Sequence, residues 1–125
     1  VYGTLKKGHH NSYLLRGAKY ICEAKLPGYV MFSLGGYPGV VPEYLVQENH
    51  YWPRGEVYEI TEDMLPGLDR LEGVSHSSPH DGLYRREEVN VISDVDGKPT
   101  QMGVYVYIYN GDVSKRRLIT DGVWK

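Results

Sequence analysis

Glu72 is a carboxylate on the apolar side of a helical pattern. The stretch TEDMLPGLDRLEG reads as a helix. At about 100° per residue, Met64, Leu65, Leu68 and Leu71 share one arc. Glu72 follows Leu65 by seven residues, so it points within about 20° of the same direction. Arg70 points away, and Asp69 lies at the edge of the arc. A carboxyl group on that face is partly stripped of water, which raises its pKa towards the range useful for carrying a proton. A frayed last turn would instead release Glu72 into solvent.

The opening residues VYGTLKKG raise a second question of chemistry. Gly3 and Gly8 have the separation of a phosphate-binding loop, but His9 stands where that motif requires lysine, so the reading is rejected. What remains is a strand that turns at Gly3. There bare backbone can approach a ligand and offer N–H groups to a carboxylate or a developing oxyanion. An ordinary strand-to-loop turn would account for the same residues. The adjacent His9 and His10, and His76 four residues before His80, suggest metal binding only weakly. Pro79 and its serines make the second stretch a loop, and no acid or cysteine completes a ligand set, so no metal site is expected. Cys22 lies within an apparent strand and reads as a small buried residue rather than a nucleophile. No Gly-x-Ser-x-Gly elbow is present.

These residues need a scaffold. Val1 and Tyr2 read as a strand end, and Asn11 can cap a short helix over 11–16 that buries Tyr13, Leu14 and Leu15. AKYICEAKL and GYVMFSL read as strands around Pro27 and Gly28, residues 37–41 as another, and the polar stretch to Pro53 as irregular. GEVYEI alternates, with Val57 to one side and Tyr58 to the other. Thr61 or Asp63 can cap the helix that carries Glu72; with Asp63 as the cap, Pro66 falls in its first turn, and Gly73 provides a left-handed stop. YRREEVNVI and QMGVYVYIY flank Asp96-Gly97, a strong hairpin signal with room for a loop longer than two residues. The second of these sets Met102, Val104, Val106 and Ile108 against Tyr105, Tyr107 and Tyr109. Many strands with two short helices suggest an α+β domain whose sheet curls towards a barrel.

A chain of 125 residues without repeat or linker is expected to form one domain, 1–125. It begins with valine, so residues are expected to precede it. Formal net charge is -2, with cations scattered among acids, which argues against a nucleic-acid partner. No apolar run approaches membrane-spanning length, and the lone cysteine suits a reducing cytosol, so a cytoplasmic location is expected. Fifteen glycines and twelve tyrosines beside one phenylalanine favour a turn-rich fold lined with polar-tipped rings.

Several segments also match one family in order and approximate spacing: VYGTLKKG, GGYPGVV at 35–41, GEVYEI, LDRLEG at 68–73 and YRR at 84–86. The sequence resembles the γ-glutamylcyclotransferase superfamily, in its AIG2-like and γ-glutamylamine cyclotransferase branch, over nearly the whole chain. The closing ITDGVW resembles the family's ending, with Val123 in place of its aspartate. The resemblance implies an α+β fold, a small mixed β-barrel-like sheet with flanking short helices. It places the family's catalytic glutamate on Glu72 and its substrate-binding loop on Tyr2, Gly3, Thr4 and Leu5. Tyr37 and Pro38 match its Tyr-Pro segment, Tyr84 its tyrosine after the glutamate, and Arg86 its arginine; either Tyr105 or Tyr107 matches its late-strand aromatic.

The activity implied is release of 5-oxoproline and a free amine from a small γ-glutamyl amide or peptide, without a cofactor. The alternative is a non-catalytic module that binds a small carboxylate or amine in the same pocket. The polar stretch 74–82, longer than in some members, would border that pocket as a lid or as a tolerated insertion. The leaving amine and the oligomeric state are not written in these residues.

Overall fold

Apolar and β-branched runs bounded by glycine and proline give seven strands among the described residues of the computed structural model, which are 1–3, 15, 17–45, 51–95 and 98–125. Strands β1 (Lys19–Lys25), β4 (Arg54–Glu59), β5 (Tyr84–Val95) and β6 (Lys98–Tyr109) form one sheet in the order β4-β1-β5-β6. Strands β2 (Tyr29–Ser33), β3 (Pro38–Pro42) and β7 (Arg117–Ile119) form a second in the order β3-β2-β7. Every pairing is antiparallel. With one α-helix among the described residues, α1 (Leu65–Leu71), this is the expected α+β class. No helix among the described residues is long and apolar enough to cross a membrane.

The small sheet is apolar on both faces, which explains the nearly unbroken run YVMFS in β2. Met31 joins Val40, Val91, Val106, Ile108 and Ile119 in a core to which both sheets contribute. Val30 and Phe32, pointing the other way, pack with Val41, Tyr84 and Tyr109. Alternation also sorts β4, where Val57 packs on the first core and Tyr58 on a third cluster with Leu15 and Leu68 beneath α1.

Three departures from the sequence reading have local causes. The β5–β6 ladder runs from Tyr84↔Tyr109 to Val95↔Lys98, so only Asp96 and Gly97, outside the described residues, are left for a loop that had room to be longer. Strand β7 has three residues, too few for alternation to show. Cys22 is half-buried rather than buried. The helix expected over 11–16 lies outside the described residues except for Leu15, which is buried.

Backbone at the start of the chain helps to close the large sheet. The Val1 nitrogen donates to the Glu56 carbonyl at 2.7 Å, and the Glu56 N–H donates to the Val1 carbonyl at 2.7 Å. This reciprocal pair lays the first residue along β4. The Tyr2 phenol then donates to the Tyr107 carbonyl on β6 at 2.6 Å and accepts a backbone hydrogen bond from Val40 on β3. One side chain thus ties the far edge of the large sheet to the small sheet, and a curled, barrel-like enclosure results.

Candidate active site

Glu72 sits at the C-terminal end of α1, and its backbone is fixed. The Gly73 N–H donates to the Arg70 carbonyl at 3.2 Å and the Val74 N–H to the Asp69 carbonyl at 3.0 Å. These two bonds, with Gly73 at φ +66°, form a Schellman motif that stops the helix where expected. The last turn is therefore hydrogen-bonded rather than frayed. The start of the helix differs from expectation. Neither Thr61 nor Asp63 caps it; the Thr61 hydroxyl donates to the Asp63 carboxylate, and a 3-10 turn, Glu62–Met64, leads into Leu65.

The buried stripe is also rotated from the expected arc. Leu71 is 40% exposed, whereas Asp69 is 3% exposed beside buried Leu68. Leu65, Leu68, Asp69 and Glu72 thus form the inward face at the i, i+3, i+4, i+7 spacing of a helix stripe. Two carboxylates occupy it. Burial pushes the Glu72 carboxyl from an ordinary 4.5 up to about 7. No hydrogen bond or ion pair engages that carboxyl among the described residues.

Glu72, Tyr2, Gly3, Tyr37, Pro38, Tyr84, Arg86, Tyr105 and Tyr107 all line one cavity of about 800 Å³, a size typical of small-molecule sites. Thr4 and Leu5 lie outside the described residues. Gly3 is a glycine for a steric reason: a Cβ there would come within 2.8 Å of the Pro38 ring. Tyr37 and Pro38 follow a two-residue turn in which the Leu34 N–H donates to the Tyr37 carbonyl at 2.9 Å. The Tyr84 phenol is already engaged, donating to the Pro38 carbonyl at 2.6 Å. Burial raises the pKa of Tyr2, Tyr84 and Tyr107 well above the ordinary phenol value, and the Glu72 charge adds to each shift. The three phenols therefore surround Glu72 as neutral groups.

Asp69 was not singled out by the sequence. It accepts from Arg86 Nη1 at 3.1 Å on Oδ1 and 3.0 Å on Oδ2, and from the Tyr107 phenol at 2.6 Å. His76 Nε2 lies 3.5 Å from Oδ2. The Arg86 guanidinium also sits over the Tyr105 ring, 5.1 Å from its centre. Its place in a stripe with Leu65, Leu68 and Glu72 was the signal that could have found Asp69. Tyr105 and Tyr107 both reach the cavity, but only the Tyr107 hydroxyl contacts Asp69.

The stretch 74–82 folds on itself. Ser78 N–H donates to Ser75 Oγ at 3.2 Å, and its two ends are joined where Leu83 N–H donates to the Gly73 carbonyl at 3.0 Å. None of its described side chains lines the cavity, so it does not border the pocket as expected; Leu83, just after it, does.

A family model described as gamma-glutamyl cyclotransferase, AIG2-like, matches residues 1–125. The chain is 30% identical to the gamma-glutamylcyclotransferase family protein YtfP of Escherichia coli K12, over 99% of this chain and 92% of that one. It is 33% identical to the gamma-L-glutamyl-butirosin B gamma-glutamyl cyclotransferase of Niallia circulans, over 90% of this chain and 66% of that one. An AIG2-like protein of Mus musculus has a similar fold, with a TM-score of 0.75 at 22% identity, over 100% of this chain and 85% of that one.

Proposed function

The chain belongs to the AIG2-like gamma-glutamyl cyclotransferase family, and on that premise we propose that it closes the γ-glutamyl group of an amide into 5-oxoproline with Glu72 as its proton carrier. The observation that supports this reading is an unpaired, desolvated carboxyl in the same cavity as the Tyr2–Gly3 corner. A group with a pKa of about 7 can both accept and return a proton near neutral pH.

The substrate's α-ammonium gives a proton to Glu72, and the resulting amine attacks its own γ-carbonyl carbon. A C–N bond forms and a tetrahedral oxyanion develops, a charge that backbone N–H groups stabilise where they face it. Glu72 passes the proton to the leaving nitrogen, and the old amide C–N bond breaks. The α-nitrogen keeps one proton as the lactam N–H, while the other two end on the departing amine, which leaves as an ammonium. Because the reacting atoms belong to one molecule, much of the protein's contribution is to hold the folded conformer. This chemistry needs no cofactor.

The test is Glu72→Gln, assayed for 5-oxoproline release from a panel of γ-glutamyl amines and peptides. The variant should lose about 10²–10⁴-fold in rate. In the unsubstituted protein, kcat/KM should fall as pH drops below about 7, because protonated Glu72 can no longer accept the ammonium proton. A folded variant that turns over at the parent rate would falsify the mechanism. Ligand binding without any product would favour the binding module instead.

A further inference from the structure

Arg86 poses a problem for a base in its cavity. A guanidinium beside a carboxylate holds it ionised and makes it a poor proton carrier. Arg86 lines the cavity with Glu72, and the Tyr107 phenol feels the charges of both. Yet Arg86 is turned to Asp69, three residues before Glu72 on the same helix face. Side chains at that spacing are neighbours, with Cβ atoms about 5–6 Å apart. Glu72 is therefore the next carboxylate along the helix face from the one that Arg86 holds.

We propose that Asp69 is a positioning residue: by holding the Arg86 guanidinium to itself, it leaves the neighbouring Glu72 carboxyl unpaired and able to exchange a proton. This rests on the reading of Glu72 as the proton carrier. Asp69 does not line the cavity and so acts through Arg86 and Tyr107, which do. Its burial makes the arrangement firm, since an ionised carboxylate almost removed from water requires strong partners. It has two donors, Arg86 Nη1 and the Tyr107 phenol, with His76 Nε2 3.5 Å from Oδ2. Tyr105 supports the far side of the guanidinium as a cation–π partner.

Charged and titratable groups line the cavity from every side, including Lys25 on β1, Tyr37 before β3, and Arg54, Glu56, Tyr58 and Glu59 on β4. From the first segment come Tyr2 and the Val1 nitrogen, from β5 Tyr84 and Arg86, from β6 Tyr105 and Tyr107, and from the stretch after α1 the exposed His76. Burial keeps Tyr2, Tyr84 and Tyr107 neutral. The Arg86–Asp69 ion pair joins a cation to an anion on the helix face that carries Glu72. Removing either member should move the Glu72 titration, and in opposite directions.

The experiment compares pH profiles of kcat/KM for Asp69→Asn, Arg86→Gln and the double variant. Asp69→Asn frees Arg86 to pair with Glu72, so its acidic limb should move down by about one to three pH units while the rate at neutral pH falls. Arg86→Gln leaves the Asp69 charge unbalanced, and its limb should move up. The double variant should return towards the original limb and recover rate relative to Asp69→Asn. Rate losses with unmoved limbs would show a merely structural role and overturn the proposal. A raised KM in Arg86→Gln with no shift would make Arg86 a substrate ligand instead, with the same consequence. If Asp69→Asn does not fold, Arg86→Gln alone decides by the presence or absence of its upward shift. Carbon-13 NMR titration of the glutamate carboxyls in resting protein, with Glu72→Gln for assignment, reads the same shifts without turnover. Opposite NMR shifts combined with an active Glu72→Gln would sink the functional reading and leave this one standing.

Discussion

A carboxyl group prepared for proton transfer costs folding stability, and at Glu72 the sign can be worked out. In the folded chain burial raises its pKa to about 7, while the unfolded chain holds it near 4.5. Between those values the folded form binds more protons than the unfolded form, so stability declines as pH rises through the window. Above pH 7 the whole penalty applies; below 4.5 it vanishes. For a half-buried residue this amounts to roughly 1–3 kcal/mol. Glu72→Gln should therefore unfold a few degrees higher than the parent at pH 8 and at nearly the same temperature at pH 4.5, in parallel thermal melts. A gap that does not change with pH would mean that water reaches the carboxyl. Glu72 was legible in the sequence because one polar residue interrupted an apolar arc. Asp69 was not, because the arc was centred too far towards Leu71, and a ring of leucines cannot show which of its neighbours faces the sheet.

At the scale of the element, α1 delivers Glu72 through its C-terminal cap. Gly73 has φ +66°, and a Cβ there would lie 3.0 Å from Leu83 Cβ. Gly73→Ala should cost about 1 kcal/mol or more and lower kcat, since the last turn that orients Glu72 would loosen. Gly67, inside the same helix, has open space where a Cβ would stand and a helical backbone that alanine adopts readily. Gly67→Ala should stabilise by about 0.5–1 kcal/mol and leave kcat unchanged. Urea melts and initial rates of the two variants check both signs; equal effects would remove the special role of the cap. The helix stop and most strands could be read locally, from glycine and from period-two alternation. The helix start could not, because Thr61 turns its hydroxyl to Asp63 rather than to a backbone N–H. Strand β7 escaped because RLI is recognised as a strand only once Ile119 finds Met31 across the small sheet.

At the scale of the molecule, the site depends on contacts between residues far apart in the chain, which no local pattern announces. Tyr2 reaches the Tyr107 carbonyl across 105 positions, and Tyr84 reaches the Pro38 carbonyl across 46. Both phenols serve as clamps between the large sheet's surroundings and the small sheet, and each lies within electrostatic reach of the other. Sequence spacing could place these tyrosines near a pocket through family resemblance, but not say that their hydroxyls are already engaged by backbone. Each Tyr→Phe substitution leaves a carbonyl without its partner, at a cost of about 1–3 kcal/mol where water cannot enter. Because both clamps close one seam, opening the first should admit water to the second. Tyr2→Phe and Tyr84→Phe should then be non-additive, the double variant losing less than the sum by about 0.5 kcal/mol or more. A double-mutant cycle in urea measures this term directly. Strict additivity would mean two independent anchors, and the enclosure around Glu72 would then have to be held closed by the apolar cores alone.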